Sequence, residues 1–310
     1  MELKQLRYFV DVAELGSFAK AAEVLDVAQP TLSRQVRALE LELRASLFHR
    51  NGRGVLLTPE GARFVDRARG VLQAADAAVQ VLQEGDRRLR GKVVCGLTPS
   101  IAGLMLPELV RRFRERLPSA QLVIADRWSV TQSDQLRSGR LDFAIAHRPA
   151  MLPKDLDFET LAREDICLLS ASSAPAKETV SLKELAGLPL ALPSPLHIVR
   201  RELEGLAARA GISLNIVLEG GVMEGLQQLV AEGVAHTIAT RFALLTPGCP
   251  PQLRARRIFP PALTTEFCLA TPLASNMSPL QRAAADIARS IFLELASDSP
   301  PAWVFATARI

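Results

Sequence analysis

The chain has 310 residues, 48% hydrophobic and 23% charged, an ordinary globular composition with material for about two domains of ~150 residues each. Disorder over most of the length is excluded, and no run approaches the ~18 consecutive apolar residues of a membrane span. Its 37 Lys and Arg against 33 Asp and Glu leave a net charge of +4, too little to announce a nucleic-acid partner, although such binding depends on where the charge sits. The opening MELKQLRYFVDVAEL has charges threaded through it and lacks the apolar core and cleavage site of a secretory leader, so the cytoplasm is the expected compartment. Cys95, Cys167, Cys249 and Cys268 form no CxxC, which argues against a zinc site or disulfide framework. Three of them, Cys95, Cys167 and Cys268, sit in apolar runs that read as buried strands.

Residues 3–15 predict a first helix, with Leu3, Leu6, Val10 and Ala13 on one face. Gly16 ends it and Ser17 caps a second, Ala-rich helix from about Phe18 to Leu25. After the short turn Asp26-Val27-Ala28, Pro30 stands in the first turn of a third helix that buries Leu32, Val36, Leu39 and Leu43. Two helices joined by a tight turn, the second with polar and Arg residues near its start, is the layout of a DNA-reading helix-turn-helix. The run LFHRNGRGVLLT follows, with Asn51-Gly52 as a hairpin turn and Arg50 and Arg53 beside it. Such a basic hairpin is a wing, placed to meet phosphate or a minor groove.

Thr58-Pro59-Glu60 predicts a strong helix start. The helix continues to about residue 88 and carries an a/d stripe of Val65, Ala68, Leu72, Ala75, Val79 and Leu82. A narrow stripe on a long helix favours pairing with a second copy over packing on its own chain. Beyond the seam at Arg87 to Lys92, short β-rich runs alternate with helices, as in an open α/β sheet. Strands are expected at 92–97, 121–125 and 141–146, with a helix at about 104–117. A second unit of similar size follows, with strands near 166–170, 188–192, 214–218 and 235–239 and helices at 198–210 and 223–232. A strand at 266–270 and a helix at 279–295 complete the pattern. Paired α/β units bind ligands between them, at strand ends and helix N-termini.

The order of these pieces, with AQPTLSRQVRALELELRASLFHR and RGVLLTPEGARF at specific spacings, resembles the DNA-binding domain of LysR-type transcriptional regulators. The pieces that carry the likeness are Phe9, Gly16-Ser17-Phe18, Ala21-Ala22, Leu25, Ala28-Gln29-Pro30, Ser33, Leu39-Glu40, Leu47-Phe48, Arg50, Leu57-Thr58-Pro59 and Gly61. The second half is loosely similar to the nitrogen-assimilation-control and sulfur-assimilation branches, although Glu232-Gly233-Val234-Ala235-His236 stands where the family has Gly-Xaa-Gly. The resemblance implies α/β architecture with an N-terminal all-α winged helix-turn-helix (residues 1–58) and a linker and dimerisation helix (59–88). A two-lobed effector-binding domain like periplasmic binding proteins follows (89–295), then a tail (296–310). Lobe I is expected at 92–162 and 268–295, and lobe II at 163–267.

For DNA the candidates are Gln29, Pro30, Thr31, Ser33, Arg34 and Arg37 on the recognition helix, with Arg50 and Arg53 on the wing. Arg pairs bidentately with guanine and Gln with adenine; Arg37 could instead pair with Glu40 or Glu42. For the effector, Thr98, Pro99 and Ser100 sit between a strand and a helix, and the resemblance implies Ser100, Ser129 and His147 around the cleft from one lobe and Ser194, Leu196, His197, Met223 and Thr240 from the other. Thr98 and Ser100 could equally be plain helix caps, and His147 a surface-loop histidine. In an anion-pairing role His147 would titrate near ~6.5 and make ligand affinity pH-sensitive. Expected partners are double-stranded DNA, a small anionic effector, further copies as a homodimer or homotetramer, and RNA polymerase. There is no HExxH, GxSxG, P-loop or GxGxxG, so neither an enzyme nor a metal or cofactor is expected.

Overall fold

A computed structural model describes residues 1–51, 54–81, 89–125, 132–173, 177–273, 276–297 and 304–306. Helices α1 (Leu3–Leu15), α2 (Phe18–Val24) and α3 (Gln29–Leu43) form the amino-terminal bundle. Gly16 ends α1 in the left-handed region at φ 62°, and Ser17 Oγ accepts from Lys20 N to start α2. Strands β1 (Phe48–Asn51) and β2 (Gly54–Leu57) pair antiparallel as the wing. The wing is pinned to the end of α1, where Val55 N donates to Gly16 O at 3.0 Å. Gly54 permits that approach, since a Cβ there would lie 2.7 Å from Gly16 O at a φ of +146°.

Helix α4 (Pro59–Val81) starts on Thr58, whose hydroxyl accepts from Gly61 N (2.9 Å) and donates to Ser46 O (2.6 Å). The core beneath is centred on Phe9, whose ring lies 5.3 Å from Phe48 and 5.4 Å from Phe64. Val65, Ala68 and Leu72 of α4 are buried in this same core with Leu6, Leu32 and Val36. This corrects the pairing stripe: its first three positions face the chain's own α1, which packs along α4, and are not available to a second copy. Val71 and Val79 are exposed, Ala75 is half-buried and Leu82 lies outside the described residues.

Lobe I comprises β3 (Gly91–Leu97), α5 (Pro99–Arg116), β4 (Ala120–Ala125), α6 (Gln132–Arg137) and β5 (Phe143–His147), with β3 parallel to both β4 and β5. The long strand β6 (Leu156–Ala171) then crosses into lobe II. That lobe holds β7 (Thr179–Val180), α7 (Leu182–Ala186), β8 (Leu190–Leu192), α8 (Ile198–Arg209) and β9 (Ile216–Glu219). It continues with α9 (Met223–Ala231), β10 (Thr237–Thr240), α10 (Phe242–Leu245) and β11 (Leu253–Ile258). Strand β12 (Thr264–Pro272) runs back antiparallel to β6, and α11 (Pro279–Ser297) closes lobe I. In the carboxyl-terminal segment β13 (Val304–Ala306) pairs with β6 at Ala162 to Glu164.

The first half of β6 pairs with β12 and the second half with β10 and β11, so one sheet runs through both lobes. The lobe crossing therefore falls inside β6, where the sequence showed a strand only at 166–170. Each lobe keeps its own core. Ile101, Met105, Phe143, Phe267, Ala288 and Phe292 pack in lobe I, and Leu168, Leu185, Leu192, Leu203 and Ile258 in lobe II.

Candidate functional site

Helix α3 turns Leu32, Val36 and Leu39 inward, which leaves Gln29, Pro30, Arg34 and Arg37 exposed and Thr31 and Ser33 half-buried on its other side. Arg34 Nη2 donates to Thr31 Oγ1 at 3.5 Å. The alternative partners of Arg37 are engaged elsewhere. Glu40 Oε1 accepts from Leu47 N (2.7 Å) and Phe48 N (3.3 Å), and Glu42 holds the terminal amine of Met1 at 2.5 Å. Glu40 thus fastens the start of the wing to α3. Arg50 stands on β1 opposite Val55, and Arg53 lies outside the described residues. Residues 29–53 carry five arginines against two acids, a net of +3 out of the chain's +4.

The second constellation lies where the two lobes meet. Thr98 is the N-cap of α5, is 4% exposed, and donates its backbone N–H to Ile145 O at 3.3 Å, beside the end of β5. Pro99 opens α5, and the Thr98 and Ser100 hydroxyls are 3.4 Å apart. His147 ends β5, with Nδ1 3.2 Å from Thr265 Oγ1 and its ring 4.3 Å from Phe267. Across from it, 6.1 Å between ring centroids, stands His197. His197 is the N-cap of α8, and its Nδ1 accepts from Val199 N at 3.3 Å. An accepting Nδ1 leaves the proton of the neutral ring on Nε2. The N-terminus of α8 thus stands across from His147, and that of α5 is tied to Ile145, two residues earlier on β5; helix N-termini favour negative charge.

Burial, and then the neighbouring His197, pull the His147 pKa down to about 3, and burial lowers His197 to about 4. Both rings are neutral at pH 7. The expected titration of His147 near ~6.5 is therefore corrected: its ring is packed on Phe267 and faces a second imidazole, so ionisation would place charge in a poorly solvated setting.

The other candidates are dispersed. Ser129 lies outside the described residues. Ser194 makes a tight turn: its Oγ accepts from Leu196 N (3.4 Å) and its carbonyl from His197 N (2.8 Å), and Leu196 points to solvent at 62% exposure. Met223 packs on Leu169, Val230 and Ala239 inside lobe II. Thr240 is buried and hydrogen-bonded to Glu164.

Sequence reasoning missed several groups. Glu164, 1% exposed at the lobe crossing, accepts from Phe242 N at 2.9 Å, and burial lifts its carboxyl to about 8. Arg200, 2% exposed, binds Glu204 Oε1 (2.7 Å), Glu219 Oε1 (2.8 Å) and Pro193 O (3.3 Å), which fixes the loop leading to His197. Thr265 and Phe267 orient His147 from β12. None has a local signal, because each partner lies on another element. The thiols of Cys95, Cys167 and Cys268 are buried, and burial lifts the last two to about 12. Among the described residues no helix is long and apolar enough to cross a membrane.

Comparison with known proteins places both halves. The profile of the bacterial regulatory helix-turn-helix protein, lysR family, matches residues 3–62, and that of the LysR substrate binding domain matches residues 86–292. The nitrogen assimilation regulatory protein nac of Klebsiella aerogenes is 28% identical, over 94% of this chain and 95% of its own. A probable nitrogen assimilation transcriptional activator of Synechocystis is 33% identical over 74% and 75% of the two chains. Among solved structures, a full-length OxyR variant from Pseudomonas aeruginosa superposes with a TM-score of 0.79 at 28% identity, covering 94% and 95% of the chains. Full-length CbnR complexed with its target DNA gives 0.62 at 25% identity, covering 94% and 100%. With matching profiles over the helix-turn-helix and over most of the two-lobed domain, the chain belongs to the LysR family of transcriptional regulators and resembles its nitrogen-assimilation members.

Proposed function

We propose that this regulator works in the cytoplasm as a homodimer or homotetramer. It grips double-stranded DNA with α3 in the major groove and the wing on the backbone. The observation that carries this is the exposed face of Gln29, Arg34 and Arg37, from which Glu40 and Glu42 have been drawn away to other partners. Two copies of that face suit a roughly palindromic site. Copies pair through the outer side of α4, where Val71 and Val79 are exposed. RNA polymerase is the partner through which binding becomes regulation.

A small anionic effector sits between the lobes, held by Thr98, Ser100 and the two helix N-termini, with His197 Nε2 as a neutral donor. The ligand shifts the equilibrium only by its preference for one lobe arrangement. Peroxide sensing by a thiol is disfavoured, because the buried cysteines hold their protons far above pH 7. Sequencing the genomic fragments retained by the purified protein at low salt tests DNA recognition; no enriched sequence would refute it. A thermal-shift screen of small carboxylates tests the cleft: a true ligand at 100 times its Kd adds about 2.7 kcal/mol and raises Tm.

A further inference from the structure

The side of α4 that faces away from the DNA-reading bundle's core carries polar residues with partners in two different domains. Gln73 Nε2 donates to Gly139 O (2.7 Å) and to Asp142 Oδ1 (3.3 Å), both in the turn that joins α6 to β5. Gly139 has φ +67°, and a Cβ there would lie 2.2 Å from Gln73 Oε1. That position therefore needs glycine both for its backbone and for the approach of Gln73. Asp142 is 5% exposed and belongs to the frame of lobe I. Its Oδ2 accepts from Val94 N of β3 (2.6 Å), and its Oδ1 from Gln281 Nε2 of α11 (2.5 Å).

Seven residues earlier on the same side of α4, Asp66 accepts from Arg140 Nη2 of that turn (3.3 Å) and from Arg69 Nη1 (3.0 Å). Arg69 Nε reaches Glu14 Oε1 of α1 at 3.1 Å. Arg7 of α1 meets Asp76 at 3.3 Å. A chain of charges, Glu14–Arg69–Asp66–Arg140, thus runs from the DNA-reading bundle through α4 to lobe I.

We propose that the α6–β5 turn is a latch that docks α4 onto lobe I. The latch sets the position of the DNA reader and α4 relative to lobe I. The exposed ion pairs set alignment and hold weakly. The part-buried Gln73 amide, seated on Asp142, is the catch. A substitution at the catch changes how far apart the two readers of a dimer sit, without touching α3 or the lobe cleft. The effect on DNA rests on the function proposed above; the latch itself does not.

The test is amide hydrogen exchange on the full-length protein and its Gln73→Glu variant. The substitution keeps the side chain's size and helix compatibility, removes both N–H donors and sets a second carboxylate against Asp142. Exchange should quicken about tenfold at residues 70–76, at 139–142 and at Val94, while α3 and β12 keep their wild-type rates. Asp66→Asn should quicken the same segments by less. Rates within twofold of wild type in both segments would overturn the latch, and so would equal acceleration in β12, which signals general destabilisation. Because no DNA is present, a failed latch and a failed DNA reading give separate results. On a recovered operator, Gln73→Glu should alter the length of DNA protected while single half-site affinity stays within twofold.

Discussion

The DNA reader and the lobe cleft handle charge in opposite ways. On α3, Arg34 and Arg37 stand in solvent, and the nearby acids are diverted to the wing and the amino terminus. In the cleft, His147 packs on Phe267 and faces His197, and both imidazoles are held neutral. The reader is therefore built for a polyanion whose attraction falls steeply with salt. On the proposed reading, the cleft would hold its effector through helix N-termini and uncharged donors, and its affinity should change little with pH across the physiological range. Charge placement, rather than net charge, separates the two tasks.

The largest expected effect would break the reader and spare the cleft. Phe9 joins α1, the wing and α4 in one aromatic cluster. Phe9→Ala should cost roughly 3–5 kcal/mol, seen in denaturant unfolding as early loss of the amino-terminal bundle. Residues 89–297 should keep their transition.

Next comes Glu164, which sharpens the cleft side. Its pKa is raised by burial to about 8 from an ordinary 4.5. The folded state therefore binds a proton that the unfolded state releases in that window. Its contribution is fully present below about 4.5 and is lost as pH rises toward about 8. Glu164→Gln keeps an acceptor for Phe242 N and removes the titration. It should stabilise the protein by roughly 1–3 kcal/mol at pH 8 and by almost nothing at pH 4, by calorimetry at both.

The smallest effect concerns the histidines, whose pKa values move the other way. With folded values of about 3 and 4 against 6.5, they favour folding above pH 6.5 and withdraw that support as pH falls toward 3. Imidazole NMR shifts of His147 and His197 should stay at their neutral values from pH 8 to pH 5. A midpoint near 6.5 for either would return the cleft to a charge-switched design.

Local chemistry was legible in the sequence. The Ser17 and Thr58 hydroxyl caps and Pro30 in the first turn of α3 act within a few residues, and each marks its element; Asn51, expected in the hairpin turn, is instead the last residue of β1, paired with Gly54. Periodicity also identified the buried stripe of α4 but not its partner. Val65, Ala68 and Leu72 satisfy a dimer seam and a contact with α1 equally well, and only the packed bundle distinguishes them. The first half of β6 was hidden because Arg163, Glu164 and Asp165 interrupt its apolar run. Glu164 is accommodated there by Phe242, 78 residues away. His147 was found by its place after LDFAIA, yet its charge state was not. That state depends on Thr265, Phe267 and His197, which the fold gathers from two other elements.

The arginine face of α3 is the surface on which DNA reading depends. Its most direct test is fluorescence anisotropy on an operator duplex recovered from genomic DNA, comparing wild type with Arg34→Ala. Arg34→Ala should lose about 10- to 100-fold in specific affinity, the ~1–3 kcal/mol of one base contact, with the dimer intact by sedimentation. Unchanged affinity, or a dimer that falls apart, would contradict it.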